Sequence, residues 1–210
     1  MQPLPAQDLR TNLATWSVVP EFVPAVTRRM LDVLPAEQYD PVFAGQQLVT
    51  TYFDTYQFAL RAARRRGDRY LTLRIRHYQP SDSYALSAKT EAGKFRRTLK
   101  PDIARSIIED GFDYYATTLM PADLQARLFD LVEGRDLRAV TAVRFRRYAV
   151  EDADNRLTLD IGIETDTGKC FPSEVLEHKA TDPDASPYEV FPSLGLRPIK
   201  LSKFLWATRA

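Results

Sequence analysis

Arginines and lysines stand two residues apart in several segments of this chain, and that spacing suits gripping a chain of phosphates. Arg74 and Arg76 alternate with Leu73, Ile75 and His77. Ser87 and Lys89 alternate with Leu86 and Ala88. Arg156, Thr158 and Asp160 alternate with Leu157, Leu159 and Ile161, and Glu177 and Lys179 alternate with Leu176 and His178. In an extended strand, residues two apart share a face. Each segment therefore reads as a strand with one apolar and one charged face. Arg144, Arg146 and Arg147 crowd a further segment, where a bulge would let both parities contribute. Lys94, Arg96 and Arg97 follow a turn at Gly93. Guanidinium forks and ammonium point charges both suit phosphate oxygens.

A solvated face is ordinary for an antiparallel sheet. These faces differ in kind, because they are mostly cationic in a nearly neutral chain. Lys and Arg number 29 against 28 Asp and Glu, so any anion site has to be local rather than the work of a global field. Like charges facing each other across strands repel unless a counter-anion lies between them. A closed barrel would gather all these faces into one lumen, apolar outside and basic inside.

The elements that must position these residues are legible in outline. Strands are expected at about 48–53, 70–78, 84–90, 94–99, 139–150, 156–164 and 173–180, from alternation and β-branched or aromatic content. Val23, Val26, Met30 and Val33 recur at helical spacing behind Pro20 and Pro24. Further helices are expected at about 101–110 and 121–132, each with proline in the first turn, and two short ones at about 187–194 and 200–208. Arg64-Arg65-Arg66-Gly67 reads as a basic turn, 80–83 and 182–187 as turns, and 1–14 as a loose arm or short first strand. Strands joined by short turns favour an antiparallel α+β architecture in one domain, 1–210.

Other chemistries are excluded or weak. A single cysteine, Cys170, rules out an intramolecular disulfide and a Cys-rich zinc site. His77 and His178 fall on apolar parities and read as structural. Gly93-Lys94 lacks the rest of a P-loop. The opening residues have neither the basic nor the apolar region of a signal peptide, and no apolar run is long enough to span a bilayer. These features set the expectation of a cytoplasmic protein with no direct membrane insertion. Nucleic acid is the weaker use of the same basic faces.

Tyr52-Phe-Asp-Thr55, Leu73-Arg-Ile-Arg76, Phe145-Arg-Arg-Tyr-Ala149, Asn155-Arg-Leu-Thr-Leu-Asp160, Val175-Leu-Glu-His-Lys179 and Ser202-Lys-Phe204 occur in one order. In that order the chain resembles VTC domains. These are the tunnel domains of the vacuolar transporter chaperone complex and its bacterial polyphosphate-polymerase-like relatives. VTC domains are triphosphate tunnel metalloenzymes, alongside the CYTH phosphatases and cyclases. The resemblance runs from about 48 to 206. It implies an eight-stranded antiparallel β-barrel with flanking helices, enclosing a triphosphate tunnel.

The resemblance also implies roles. Arg74, Arg76, Lys89, Arg147, Arg156, Lys179 and Lys203 would bind phosphate, with Lys94 or Arg97 at a further basic position. Glu177, Lys203 and Arg147 would form the catalytic group, and Glu177 would hold Mn²⁺ or Mg²⁺. Asp160 and Glu164 are second metal-ligand candidates by parity. The implied ligands are ATP, triphosphate or polyphosphate, and the implied chemistry is metal-dependent phosphoryl transfer making polyphosphate. A membrane-protein partner is a further implication. The chain departs from the family at its opening strand, where Asn12 and Ala14 stand for an acid and a lysine, and at Ser87, which stands for a glutamate. The alternatives are therefore a tunnel that binds polyphosphate or nucleotide without chemistry, and a triphosphate hydrolase.

Overall fold

The computed structural model describes residues 11–33, 45–67, 69–79, 81–184 and 190–209. The strands are β1 (Thr11–Val18), β2 (Gln46–Asp54), β3 (Thr72–Gln79), β4 (Ser83–Lys89), β5 (Lys94–Leu99), β6 (Arg138–Glu151), β7 (Asn155–Thr165), β8 (Glu174–Ala180) and β9 (Arg197–Pro198). The helices are α1 (Val23–Val33), α2 (Ala59–Arg66), α3 (Pro101–Asp110), α4 (Tyr114–Thr117), α5 (Ala122–Val132), α6 (Val190–Ser193) and α7 (Lys203–Ala207). All strands join one antiparallel sheet in the order β5-β4-β3-β2-β6-β7-β8-β1-β9.

The antiparallel α+β expectation holds, with helices flanking the sheet. The closed eight-stranded barrel needs correction: a ninth, two-residue strand is present, and the edges β5 and β9 are not hydrogen-bonded to each other. The sheet curls instead. Lys94 on β5 feels the charge of Lys179 on β8 across the concavity. At the β9 edge, Pro198 offers no N–H to a partner.

Apolar parity builds the convex side. Phe53, Leu73, Ile75, Leu86 and Leu99 pack with Leu60 of α2, Ile107 of α3 and Leu124 and Leu128 of α5. Trp16, Val18, Leu157, Leu159 and Leu176 pack with Val26 and Met30 of α1 and Phe191 of α6. A third cluster lies on the concave side. There Phe204 of α7 packs with Leu48, Tyr52, Val143, Phe145 and Val175.

Two local readings change. Arg64, Arg65 and Arg66 form the last turn of α2 rather than a loop, where cations meet the negative end of the helix dipole. The buried Asp54 carboxylate starts that helix by accepting the backbone N–H groups of Thr55, Leu60 and Arg61 at 2.7–2.8 Å. Gly67 ends it with φ +79, a left-handed turn that suits glycine. Residues 11–14 belong to β1; the rest of the expected arm, part of the 182–187 loop and the start of the 187–194 helix lie outside the described residues.

Candidate anion-binding site

Strand register fixes which side chains look into the concavity. Across β3, β4 and β5, Thr72 is paired with Lys89 and Lys89 with Lys94, while Arg74 is paired with Ser87 and Ser87 with Arg96. Arg74, Arg76, Lys89, Lys94 and Arg96 therefore share the concave face. Arg97 stands on the opposite parity, where its Nη1 donates to Leu119 O at 3.1 Å. The basic residue that follows Lys94 in the site is thus Arg96, not Arg97. The i, i+2 spacing from Lys94 carried that signal.

On the far side, β7 presents Arg156, Thr158 and Asp160, and β8 presents Glu177 and Lys179. Arg156 is paired with Lys179 and Thr158 with Glu177. On β6, Arg147 is paired with Asp160. The expected bulge falls on β7, at Gly162 with φ +62, rather than among the arginines of β6. Arg144 and Arg146 consequently keep the outward parity. Arg144 binds Glu164 on the outside at 3.1 and 3.2 Å, which removes Glu164 from the candidate metal ligands.

The two sides differ in electrostatics. Among the described residues, ion pairs within the concavity are confined to the β6–β8 side. Asp160, fully buried, accepts a bidentate pair from Arg147 at 2.5 and 2.6 Å, and Lys203 Nζ of α7 lies 2.8 Å from Oδ2, the oxygen that also takes Arg147 Nη2. Glu177 has Lys179 at 3.8 Å and Arg147 at 4.0 Å. Burial pushes both carboxyls up, but the surrounding cations outweigh it and hold both below the ordinary carboxylate range. Arg156 lies 3.4 Å from Glu151.

Among the described residues, the β3–β5 side has cations without such ion pairs. Burial, then Arg74 and Arg147, push the Arg76 guanidinium down to about 10. Burial, then Arg74, Arg76 and Lys179, push the Lys94 ammonium down to about 6. Phe145 joins the two sides: Arg76, Arg147 and Lys203 lie 5.8, 5.3 and 5.2 Å from its ring centroid.

A polyanion would relieve this crowding, so its binding is coupled to protonation. Lys94 is largely neutral at pH 7.5 in the free protein and regains its proton beside an anion. Triphosphate sheds protons of its own in a cationic site, so the test is a difference: binding at pH 7.5 should take up about one proton more in the wild type than in Lys94→Met. Calorimetry in buffers of different ionisation enthalpy measures both. Equal proton exchange by the two proteins would show that Lys94 lies outside the site.

The donor set for a divalent ion is narrow. Among the described residues no group of three or more His, Cys, Asp or Glu could hold a metal ion. Both Asp160 oxygens are taken by Arg147 and Lys203. Glu177 retains carboxylate capacity, which suits an Mg²⁺-like ion bound by one carboxylate, waters and phosphate oxygens. His77 stacks on Tyr84 and lies 3.0 Å from Asp82, and His178 lies 3.1 Å from Asn155.

In β1 the register shifts between Asn12 and Ala14. Ala14 joins the convex cluster, and Thr15 is paired with Glu177. The position expected for the family lysine is therefore turned away from the site, and the wall beside Glu177 is hydroxyl and amide.

No protein-family model and no curated protein matches the chain in sequence. Solved structures match its shape. A candidate adenylate cyclase from Bacillus halodurans aligns with TM-score 0.62 and 15% identity, over 93% of this chain and 95% of that one. A Hippeastrum adenylyl cyclase candidate, described as having a dominant triphosphatase activity, aligns with TM-score 0.61 and 17% identity over 93% of each chain. The PH1012 protein of Pyrococcus horikoshii aligns with TM-score 0.52 and 14% identity, over 93% and 99%. The chain shares the fold of these proteins. No helix among the described residues is long and apolar enough to cross a membrane.

Proposed function

We propose that the concave face binds a chain of phosphates, as free triphosphate, the tail of ATP or polyphosphate, and transfers the terminal phosphoryl group. The observation that carries this reading is the run of Arg74, Arg76, Lys89, Lys94 and Arg96 along one face without carboxylate partners among the described residues. Lys179, Arg156, Arg147 and Lys203 extend it on the opposite wall. Phosphoryl transfer asks the protein for position and neutralised charge rather than covalent chemistry. The cations align the phosphates and offset the charge that develops on the transferred group.

Glu177 would hold an Mg²⁺ or Mn²⁺ ion that arrives with the phosphates. When bound, that ion polarises the terminal phosphoryl oxygens. Lys179 and Arg147 keep Glu177 ionised and oriented for that task. The ordered motifs favour a VTC-type acceptor, the end of a growing polyphosphate chain. The shape likeness to a protein with triphosphatase activity favours water. A second reading, binding without turnover, draws on the neutral β1 wall and on the engagement of Asp160 by Arg147 and Lys203.

Incubation with ATP and Mn²⁺, read by gel for polymer and by phosphorus resonance for released phosphate, separates these outcomes. Glu177→Gln should lower turnover by about 100-fold, while calorimetric binding of triphosphate without metal persists. Equal turnover by wild type and variant would remove Glu177 from the chemistry. No binding by the wild type would sink the whole reading.

A further inference from the structure

One hydroxyl on the floor of the concavity is buried without a hydrogen-bond partner among the described residues. It is Oγ1 of Thr158, which is 2% exposed and stands on the concave parity of β7. A buried hydroxyl without a partner is costly and calls for an explanation. Its cross-strand neighbours are Ala149 on β6, which contributes only a methyl group, and Glu177 on β8. The adjoining row holds Arg156 paired with Lys179, and Arg156 Nε also lacks a hydrogen bond, with Glu151 at 3.4 Å. The row on the other side holds the Arg147–Asp160 pair and Val175, backed by Phe145 and Phe204.

This setting selects the ligand's chemistry and its direction. Same-face residues lie about 6.7 Å apart along a strand and neighbouring strands about 4.8 Å apart, so the long side chains of Arg156 and Lys179 reach anything over Thr158. Two cations there favour an anion, toward which a hydroxyl acts as donor. The next row offers a buried carboxylate and hydrocarbon rather than free cations, so the chain would end over Thr158, with Arg147, 4.0 Å from Glu177, at its border. Glu177, at the same level, would border the end group.

We propose that Thr158 Oγ1 donates a hydrogen bond to an oxygen of the terminal phosphoryl group, in a subsite walled by Arg156 and Lys179 and bordered by Glu177. This rests on the phosphate-chain reading above. The phosphate reaches Thr158 when the long side chains of Arg156 and Lys179 turn toward it.

The test is calorimetry with tripolyphosphate and thermal melting without ligand, on wild type, Thr158→Val and Thr158→Ser. Valine keeps the shape and removes the hydroxyl. Thr158→Val should bind tripolyphosphate about 10-fold or more weakly, with a ligand-free Tm equal to or above that of the wild type. Thr158→Ser should retain affinity within about threefold. Wild-type affinity in a folded Thr158→Val protein would overturn the proposal. So would a fall of several degrees in its ligand-free Tm, which would show that the hydroxyl is already satisfied. Failure of the wild type to bind would overturn the functional reading as well.

Discussion

Asp160→Asn should lower the unfolding free energy by about 3–5 kcal/mol, read from the urea midpoint. The carboxylate is fully buried and is the shared acceptor of Arg147 and Lys203. Asparagine keeps the shape but removes the negative charge, leaving a buried guanidinium and an ammonium close together. The double variant Arg147→Met/Asp160→Leu should recover much of the loss, because replacing a buried pair with hydrocarbon is often neutral. A loss under about 1 kcal/mol in Asp160→Asn would show that the pair is solvated.

The pH dependence follows from the same residues. The carboxyls of Asp160 and Glu177 are held below their ordinary values of 3.8 and 4.5. Their contribution is fully present above those values and is lost as pH falls toward the folded-state values. The wild type should therefore lose stability as pH drops below about 4.5, and Asp160→Asn should show a shallower decline. Lys203 also ties α7 to the sheet, where Ser202 caps the helix and Phe204 stacks on Tyr52 at 5.3 Å. Loss of Asp160 loosens the helix that bounds the site.

Period-two alternation made the strands and the composition of their polar faces legible, because it is local and strong at Arg74–Arg76, Arg156–Asp160 and Glu177–Lys179. Parity alone also placed Lys94 with Arg96, although the expectation named Arg97. What alternation could not show was which side chains would pair across long sequence separation. Asp160 looked like a metal-ligand candidate because Lys203, supplied by the C-terminal helix, is invisible to a local pattern. The apolar cluster inside the concavity was hidden for the same reason, since Leu48, Tyr52, Phe145 and Phe204 resemble any core residues in sequence. The three arginines before Gly67 looked like a turn because the residue that starts their helix, Asp54, lies at the end of the preceding strand. The β1 bulge reversed the expected facing of Ala14, and a one-residue irregularity leaves no compositional trace.

Arg76→Met should weaken triphosphate binding by about 30-fold or more, while raising the ligand-free Tm by about 2–4 °C. These opposite signs separate a ligand-binding cation from a structural one. In the free protein Arg76 is half-buried, bonded through Nε to Thr50 at 3.1 Å, and crowded by Arg74 and Arg147. Removing it relieves that crowding, and methionine replaces the stem with hydrocarbon against Phe145. In the complex the same guanidinium faces phosphate oxygens, and its loss leaves their charge less compensated. Arg97→Met is the matched control. It removes the same charge from β5, two strands away, on the outward face, so binding should change by less than about twofold at physiological salt. If Arg97→Met weakens binding as much as Arg76→Met, affinity reflects net charge rather than the concave face. If Arg76→Met lowers the Tm and leaves binding intact, the guanidinium serves the fold, and the phosphate chain lies elsewhere.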